Sequence, residues 1–290
     1  MTRGEPSPVP ARTLYVVATP IGNLRDITLR ALDVLGQADI IAAEDTRVTA
    51  TLASHYGISA RLVSLYGHNE RRRADEVIAW LGADKRVALV TDAGTPAISD
   101  PGAVLVRAVR DAGFDVVPVP GASAVTAALS ASGVAASQWL FCGFLPVSAG
   151  ARAEEIERLR SFSSALVFYE APHRIVATVA ALAGILGPAR QLVIARELTK
   201  KFETVHRCAL GEAALWLGAN ANRERGEFVL IVEPDASPPP ASTDTNDALL
   251  AALLAELPLA QSVRIAVAAT GEPKNRLYER ALALKKAAAD

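Results

Sequence analysis

Residues able to hold a ligand or move a proton gather in four stretches rich in turn formers: TPIGN (19–23), TDAGTPAISDPG (91–102), YEAPHR (169–174) and RELTKKFE (196–203). The longest sets Thr91, Asp92, Thr95, Ser99 and Asp100 among Gly94, Pro96, Pro101 and Gly102. Glycine permits positive φ and close approach of a ligand, proline fixes φ, and the hydroxyl and carboxyl groups supply hydrogen bonds. The groups here that could accept or deliver a proton at a reacting oxygen are Asp100, Glu170, His173, Glu197, Lys200 and Lys201, and their spacing singles out none of them. Each also suits a structural ion pair or a phosphate contact, the commoner fate of a clustered charge. Asp100 has a second reading as the cap of a helix opened by Pro101.

Other candidate groups have plainer explanations. Arg71, Arg72 and Arg73 could grip phosphates, but a charged first turn of an exposed helix accounts for them first. His55, His68, His173 and His206 lack metal-ligand spacing, and Cys142 and Cys208 form neither a metal motif nor a disulfide framework. Trp80, Trp139 and Trp216 suit core or boundary positions better than base-stacking platforms. A formal net charge of −1 over 290 residues gives no global signature of a nucleic-acid binder, so any RNA contact must be local. No apolar run approaches a membrane span or a signal sequence, and a reduced cytoplasmic setting fits.

The elements that must position these loops alternate between buried strands and amphipathic helices. Strand-like runs at 14–18, 40–43, 61–65, 86–90 and 115–119 are separated by helical segments, among them 70–81 and 104–112. The first helix would be capped by Asp26 or Thr28. The central loop follows the strand at 86–90, and ligands of open α/β sheets bind beyond the carboxyl ends of strands. Small residues in PGASAVTAAL let the helix there pack close to a ligand. The alternation restarts near 141–146, with strands at 165–169 and 192–195 and an expected pair at 203–206 and 228–232. The chain therefore divides into a disordered lead-in (1–12), an N-terminal α/β domain (13–121), a C-terminal α/β domain (122–233), a linker (234–246) and a small helical domain (247–290). In the last of these, Gly271 and Pro273 mark a helix-turn-helix-like junction, and five basic residues from Lys274 to Lys286 suggest a basic face.

The ordered set VATPIGNLRDIT, AEDTR, TDAGTPAISDPG, PGASAVTAAL, FCGFLP, FYEAPHR and ARELTKKFE resembles the ribosomal RNA small subunit methyltransferase I family, within the tetrapyrrole methylase superfamily. The likeness runs from about Thr13 to Lys286. It implies two α/β domains with S-adenosylmethionine in the interdomain cleft, a homodimer, and methyl transfer to the ribose 2′-oxygen of a cytidine in the decoding region of 16S RNA. Carried over position by position, it implies cofactor contacts at Pro20, Ala93, Gly94, Thr95, Ile98, Ser123, Ala124, Glu170 and Leu198. Tetrapyrrole-methylating relatives carry GDP in the central loop and a glycine-rich first loop. This chain has GTP at 94–96 and TPIGN at 19–23, which suits the RNA-modifying branch.

Methyl transfer from a sulfonium is an in-line displacement, so alignment of sulfur, methyl and oxygen can supply up to roughly 7–11 kcal/mol. A ribose hydroxyl further needs a base, and no metal motif suggests an alternative activator. Two other readings stay open at this level: a tetrapyrrole C-methyltransferase, and a non-catalytic ribosome-binding factor that retains the pocket.

Overall fold

The computed structural model describes residues 8–67, 69–235 and 243–287, in two compact units, Met1–Pro234 and Asp235–Asp290. In the first unit, Thr13–Val17 (β1), Ile40–Ala43 (β2), Arg61–Ser64 (β3), Val87–Val90 (β4) and Asp115–Val119 (β5) form a sheet of order β3-β2-β4-β1-β5, parallel throughout. Parallel neighbours require crossovers, here Leu29–Gln37 (α1), Thr46–Tyr56 (α2), Glu70–Gly82 (α3) and Ala103–Asp111 (α4). Apolar side chains cover both faces, Tyr15, Leu35 and Ile41 on one and Leu14, Leu89 and Leu105 on the other. That double burial is why β2 and β4 are unbroken apolar runs.

The ends of these elements correct several expectations. Residues 8–12 are packed rather than disordered: Val9 is buried, its carbonyl accepts from Arg86 Nε at 2.7 Å, and the Pro10 carbonyl accepts from the Tyr15 hydroxyl at 2.9 Å. Residues 1–7 and His68 lie outside the described residues. Thr28, not Asp26, caps α1, accepting from the Ala31 N–H at 3.1 Å. Asp100 does not cap α4. The helix starts at Ala103, and Glu70 Oε1 accepts from the N–H groups of Gly102, Val104 and Leu105 at 2.9, 2.9 and 3.0 Å. A turn at Gly102, φ +139°, separates Asp100 from that first turn. Of the three arginines, Arg73 folds back onto the Ser64 carbonyl at 3.0 Å and pairs with Glu76, leaving Arg71 and Arg72 exposed.

After β5 the chain enters Ala124–Ser132 (α5) and then Trp139–Phe144 (β6), Ala149–Leu159 (α6), Ala165–Glu170 (β7), Ile175–Leu186 (α7), Gln191–Arg196 (β8), Thr204–Ala209 (β9), Leu210–Gly218 (α8) and Phe228–Val232 (β10). The second sheet has the order β6-β7-β10-β8-β9. β9 and β10, expected as partners, instead flank β8 on opposite sides. The short loop 197–203 makes β8 and β9 an antiparallel hairpin, and β10 returns antiparallel between β7 and β8. Val125 and Ala128 of α5 pack with Val167, Ala195 and Val229, so this helix belongs to the second sheet although it follows the last strand of the first. Among the tryptophans, Trp139 is exposed, while Trp216 is stacked on His206 at 4.1 Å with Arg223 over its ring at 4.5 Å.

The second unit consists of Thr243–Glu256 (α9), Leu259–Thr270 (α10) and Lys274–Ala287 (α11), packed around Leu250, Val263, Ala266, Leu277 and Ala281. α9 begins inside the expected linker 234–246, of which 236–242 lie outside the described residues. The basic face of α11 is smaller than its sequence suggests: Arg280 forms a bidentate pair with Asp247 (2.7 and 2.5 Å) and Arg276 meets Glu272 at 3.2 Å.

Candidate active site

Because the first sheet is parallel, the loops after β1, β2, β4 and β5 open at one edge. In the second sheet β6, β7 and β8 share a direction and β10 opposes them, so the carboxyl ends of the first three lie beside the amino end of β10. The two edges enclose a cavity of about 400 Å³. The first sheet contributes Ile21, Glu44 and the 91–100 loop. The second contributes Phe144, Tyr169, Glu170, Leu198 and Glu227, with Ser123 and Ala124 at the start of α5 completing the wall.

Sequence-derived candidates divide cleanly by position. Ala93, Gly94, Thr95, Ile98, Ser123, Ala124, Glu170, Leu198 and Asp100 all line the cavity. Pro20 is buried and outside the lining, where its neighbour Ile21 stands instead. Glu197, Lys200, Lys201 and His173 are also outside it.

A backbone clip holds the central loop. Thr19 N–H donates to the Gly94 carbonyl at 2.8 Å, Gly94 N–H donates to the Thr19 carbonyl at 3.1 Å, and Thr19 Oγ1 donates to the Thr91 carbonyl at 3.1 Å. Gly94 therefore spends its own polar groups on the first loop, so hydrogen bonding to a ligand is not what fixes its residue type. It must be glycine for a different reason: φ is +87°, and a Cβ would stand 3.3 Å from Ile21 Cγ2 and 3.7 Å from the Ala122 carbonyl. Gly94→Val should weaken S-adenosylmethionine binding about 5- to 150-fold, the equivalent of 1–3 kcal/mol of strain at such a position. Calorimetry on the folded variant checks this, and an unchanged affinity would detach the clip from the site.

The proton-transfer candidates are separated by their partners. Burial pushes the Asp100 carboxyl up to about 6, a hydrogen bond with Thr91 works against this, and the neighbouring charges of Glu44 and Asp92 add to it. Burial also raises Asp92, although it accepts from the Asp45 N–H at 3.0 Å. Glu44 accepts from Thr91 Oγ1 at 2.6 Å.

Glu170, Glu197 and Lys200 are engaged structurally, and His173 and Lys201 are exposed outside the cavity. Glu170 has a fully buried side chain that accepts from Thr178 Oγ1 at 2.5 Å and the Ala171 N–H at 2.8 Å, with Arg174 Nε 3.2 Å away. Lys200 Nζ donates to Glu197 Oε1 at 2.9 Å and Glu227 Oε2 at 2.8 Å. Burial acts to lower the Lys200 pKa, but these two carboxylates outweigh it, so the ammonium is held charged. Burial likewise acts to raise Glu197, but Lys200 and the Glu227 N–H outweigh it and hold the carboxylate below its usual range. Lys200 therefore keeps its proton at neutral pH, and Glu197 is made a weaker base by its pairing.

A family model described as Tetrapyrrole (Corrin/Porphyrin) Methylases matches residues 13–214, and another, the RsmI C-terminal HTH domain, matches residues 240–285. The chain belongs to the tetrapyrrole methylase family. Within that family it is 50% identical over 94% of its length, and 94% of the relative's, to a protein of Neisseria meningitidis serogroup A named Ribosomal RNA small subunit methyltransferase I. The protein of that name from Escherichia coli O157:H7 is 45% identical, covering 93% of this chain and 94% of the relative. Solved tetrapyrrole methylases share the fold. A cobalt precorrin-4 methyltransferase superposes with TM-score 0.58 at 18% identity, over 77% of this chain and 95% of that one. A Thermus thermophilus uroporphyrin-III C-methyltransferase complexed with S-adenosyl homocysteine gives 0.54 at 19%, over 76% and 97%.

For a tetrapyrrole methylase chain, several lining residues have no clear mark in the sequence. Glu227 precedes β10 with no motif around it, whereas Glu44 lies in AEDTR just past β2, a motif that could have found it. Phe144 and Tyr169 sit inside FCGFLP and FYEAPHR, and those motifs are the signal that could have found them.

Proposed function

We propose that this chain transfers the methyl group of S-adenosylmethionine to the 2′-oxygen of a ribose in 16S ribosomal RNA, at a cytidine of the decoding region within the small subunit. The observation carrying this reading is the cavity between the two sheets, with Asp100 on its wall, in a chain half identical to small-subunit RNA methyltransferases. We take 13–121 and 122–233 as the two lobes that flank it.

The lining suits S-adenosylmethionine. Ser123, the N-cap of α5, makes no side-chain cap bond, so the N–H groups of that helix start are suited to a carboxylate. Glu44, Asp92 and Asp100 suit a cationic sulfonium and ammonium, and Ile21, Leu198 and Val229 give apolar walls. When bound, S-adenosylmethionine supplies an electrophilic methyl. The clip at Thr19 and the hydrogen bond from Thr95 Oγ1 to the Ala122 carbonyl at 3.1 Å fix the loop that would orient it, and Asp100 takes the ribose proton. The proposal calls for no metal; a full loss of activity in chelator, restored by one divalent ion with the ribosomal substrate intact, would overturn that part.

Incubation with methyl-labelled S-adenosylmethionine and either small ribosomal subunits or a porphyrinoid tests the reading. Label on a ribose 2′-oxygen supports it, label on a tetrapyrrole carbon overturns it, and subunit binding without label would mark a non-catalytic factor. We also propose a cytoplasmic homodimer, consistent with a chain in which no described helix is long and apolar enough to cross a membrane. Light scattering should give twice the 30.4 kDa chain mass, and a monomer mass at assay concentration would end that part.

The helical unit is proposed to add RNA contact. Deleting residues 235–290 should leave S-adenosylmethionine affinity intact, because the cavity lies wholly in the first unit. It should weaken subunit binding and reduce the salt slope by about one to three, roughly 0.7–0.9 for each phosphate that is no longer neutralised. The effect is small because Arg276 and Arg280 are already paired with carboxylates. An unchanged slope would make the unit purely structural.

A further inference from the structure

β6 carries an irregularity beside the cavity. Its register with β7 runs Phe141↔Val167 and then Gly143↔Phe168 and Phe144↔Tyr169, so Cys142 is an extra, unmatched residue. In an unbroken strand Phe141 and Phe144, three positions apart, would point to opposite faces. The bulge puts them on the same face, and both rings meet Tyr169 edge-on, with centroids 4.9 and 5.6 Å away. Phe141 is half-buried in the packing of α5, whereas Phe144 stands 53% exposed at the cavity. Gly143 makes the bulge feasible: its φ is +64°, and a Cβ would lie 3.3 Å from Ser99 Oγ. The bulge thus nests against the loop that carries Asp100, with exposed Ile98 beside it.

Bulges near active sites re-aim side chains, and this one turns a large apolar ring out of the core. Burying a phenylalanine is worth about 1.5–3 kcal/mol, so leaving its ring open is a retained cost that a flat apolar ligand would relieve. We propose that Phe144 is the platform on which the target nucleobase stacks while its ribose hydroxyl faces Asp100. This rests on the ribose-methylation reading and deepens it. Phe144 holds the base from the second lobe, and Asp100 meets the sugar of the same nucleotide from the first. A nucleotide seated in this way must leave its own helical stack.

Phe144→Ala and Phe144→Trp in the full chain test the assignment, with small ribosomal subunits and labelled S-adenosylmethionine. Phe144→Ala should raise KM for the subunit about 5- to 150-fold, the loss of one base–aromatic stack, and Phe144→Trp should restore it. Calorimetry without RNA should give both variants wild-type S-adenosylmethionine affinity. Parallel loss of that affinity in Phe144→Ala would assign the ring to the cofactor and overturn the proposal. So would an unchanged subunit KM in Phe144→Ala when the wild type is active. A wild-type chain that methylates no subunit RNA would sink the ribose reading, and this inference with it.

Discussion

Asp100→Asn should lower turnover about 10²- to 10⁴-fold, the usual contribution of a positioned base, with S-adenosylmethionine still bound. The expectation follows from comparing carboxylates by environment. Glu170 is saturated by Thr178, Ala171 and Arg174, and Glu197 is neutralised by Lys200. Asp100 lies on the cavity wall, and burial together with the nearby charges of Glu44 and Asp92 brings its carboxyl to about 6. A base must be deprotonated to act, so its working form grows as pH rises. The logarithm of kcat/KM should therefore climb with unit slope to about 6 and then level, and Asp100→Asn should flatten that limb. Asp92→Asn is the comparison: Asp92 is tied to the Asp45 N–H, so the limb should remain, displaced to lower pH because the Asp92 charge helps to raise Asp100. A wild-type limb that persists in Asp100→Asn would remove Asp100 from the chemistry and transfer the role to a neighbour.

Most of the architecture is legible because period and punctuation agree in this chain. The apolar runs at 40–43, 87–90 and 228–232 read as doubly covered strands, and the polar or turn-rich loops after the first two mark the edge that faces the cavity, whereas 228–232 meets it at its amino end. What the sequence conceals depends on partners distant along the chain. Glu70 reads as the start of a basic helix, yet its carboxylate caps α4 more than thirty residues later. The expected pairing of β9 with β10 fails because antiparallel order in a mixed sheet is set by tertiary packing, not by local pattern. Candidate acids and bases are indistinguishable in the sequence for the same reason. Lys200 is held charged by Glu227, and nothing near 200 announces a carboxylate at 227. Strain is hidden as well: Ala97, Ser99, Glu197 and Thr199 all take positive φ in loops around the cavity, and none is a residue type that signals it.

Glu170→Ala should lower stability by about 3–5 kcal/mol, the usual cost of removing one partner from a buried ion pair. Its side chain is 0% exposed and that of Arg174 13% exposed, so neither can recover solvation by a small rotation. Removing the carboxylate strands the Thr178 hydroxyl, also 0% exposed, and leaves the arginine supported by the Leu145 and Pro146 carbonyls at 2.5 and 3.2 Å. Those carbonyls follow directly after β6, so the same change should loosen the segment that positions Phe144. For a unit of this size each kcal/mol moves Tm by about 2–4 °C, which gives a fall of about 6–20 °C. Glu170→Gln keeps an oxygen for Thr178 and loses only the charge opposite Arg174, so its fall should be smaller, with turnover per folded molecule within about tenfold of wild type. Thermal unfolding and single-turnover rates on both variants separate structure from chemistry. Wild-type Tm in either variant, together with a turnover loss of a hundredfold or more, would show that this carboxylate takes the proton and that its hydrogen bonds to Thr178 and Ala171 merely orient it.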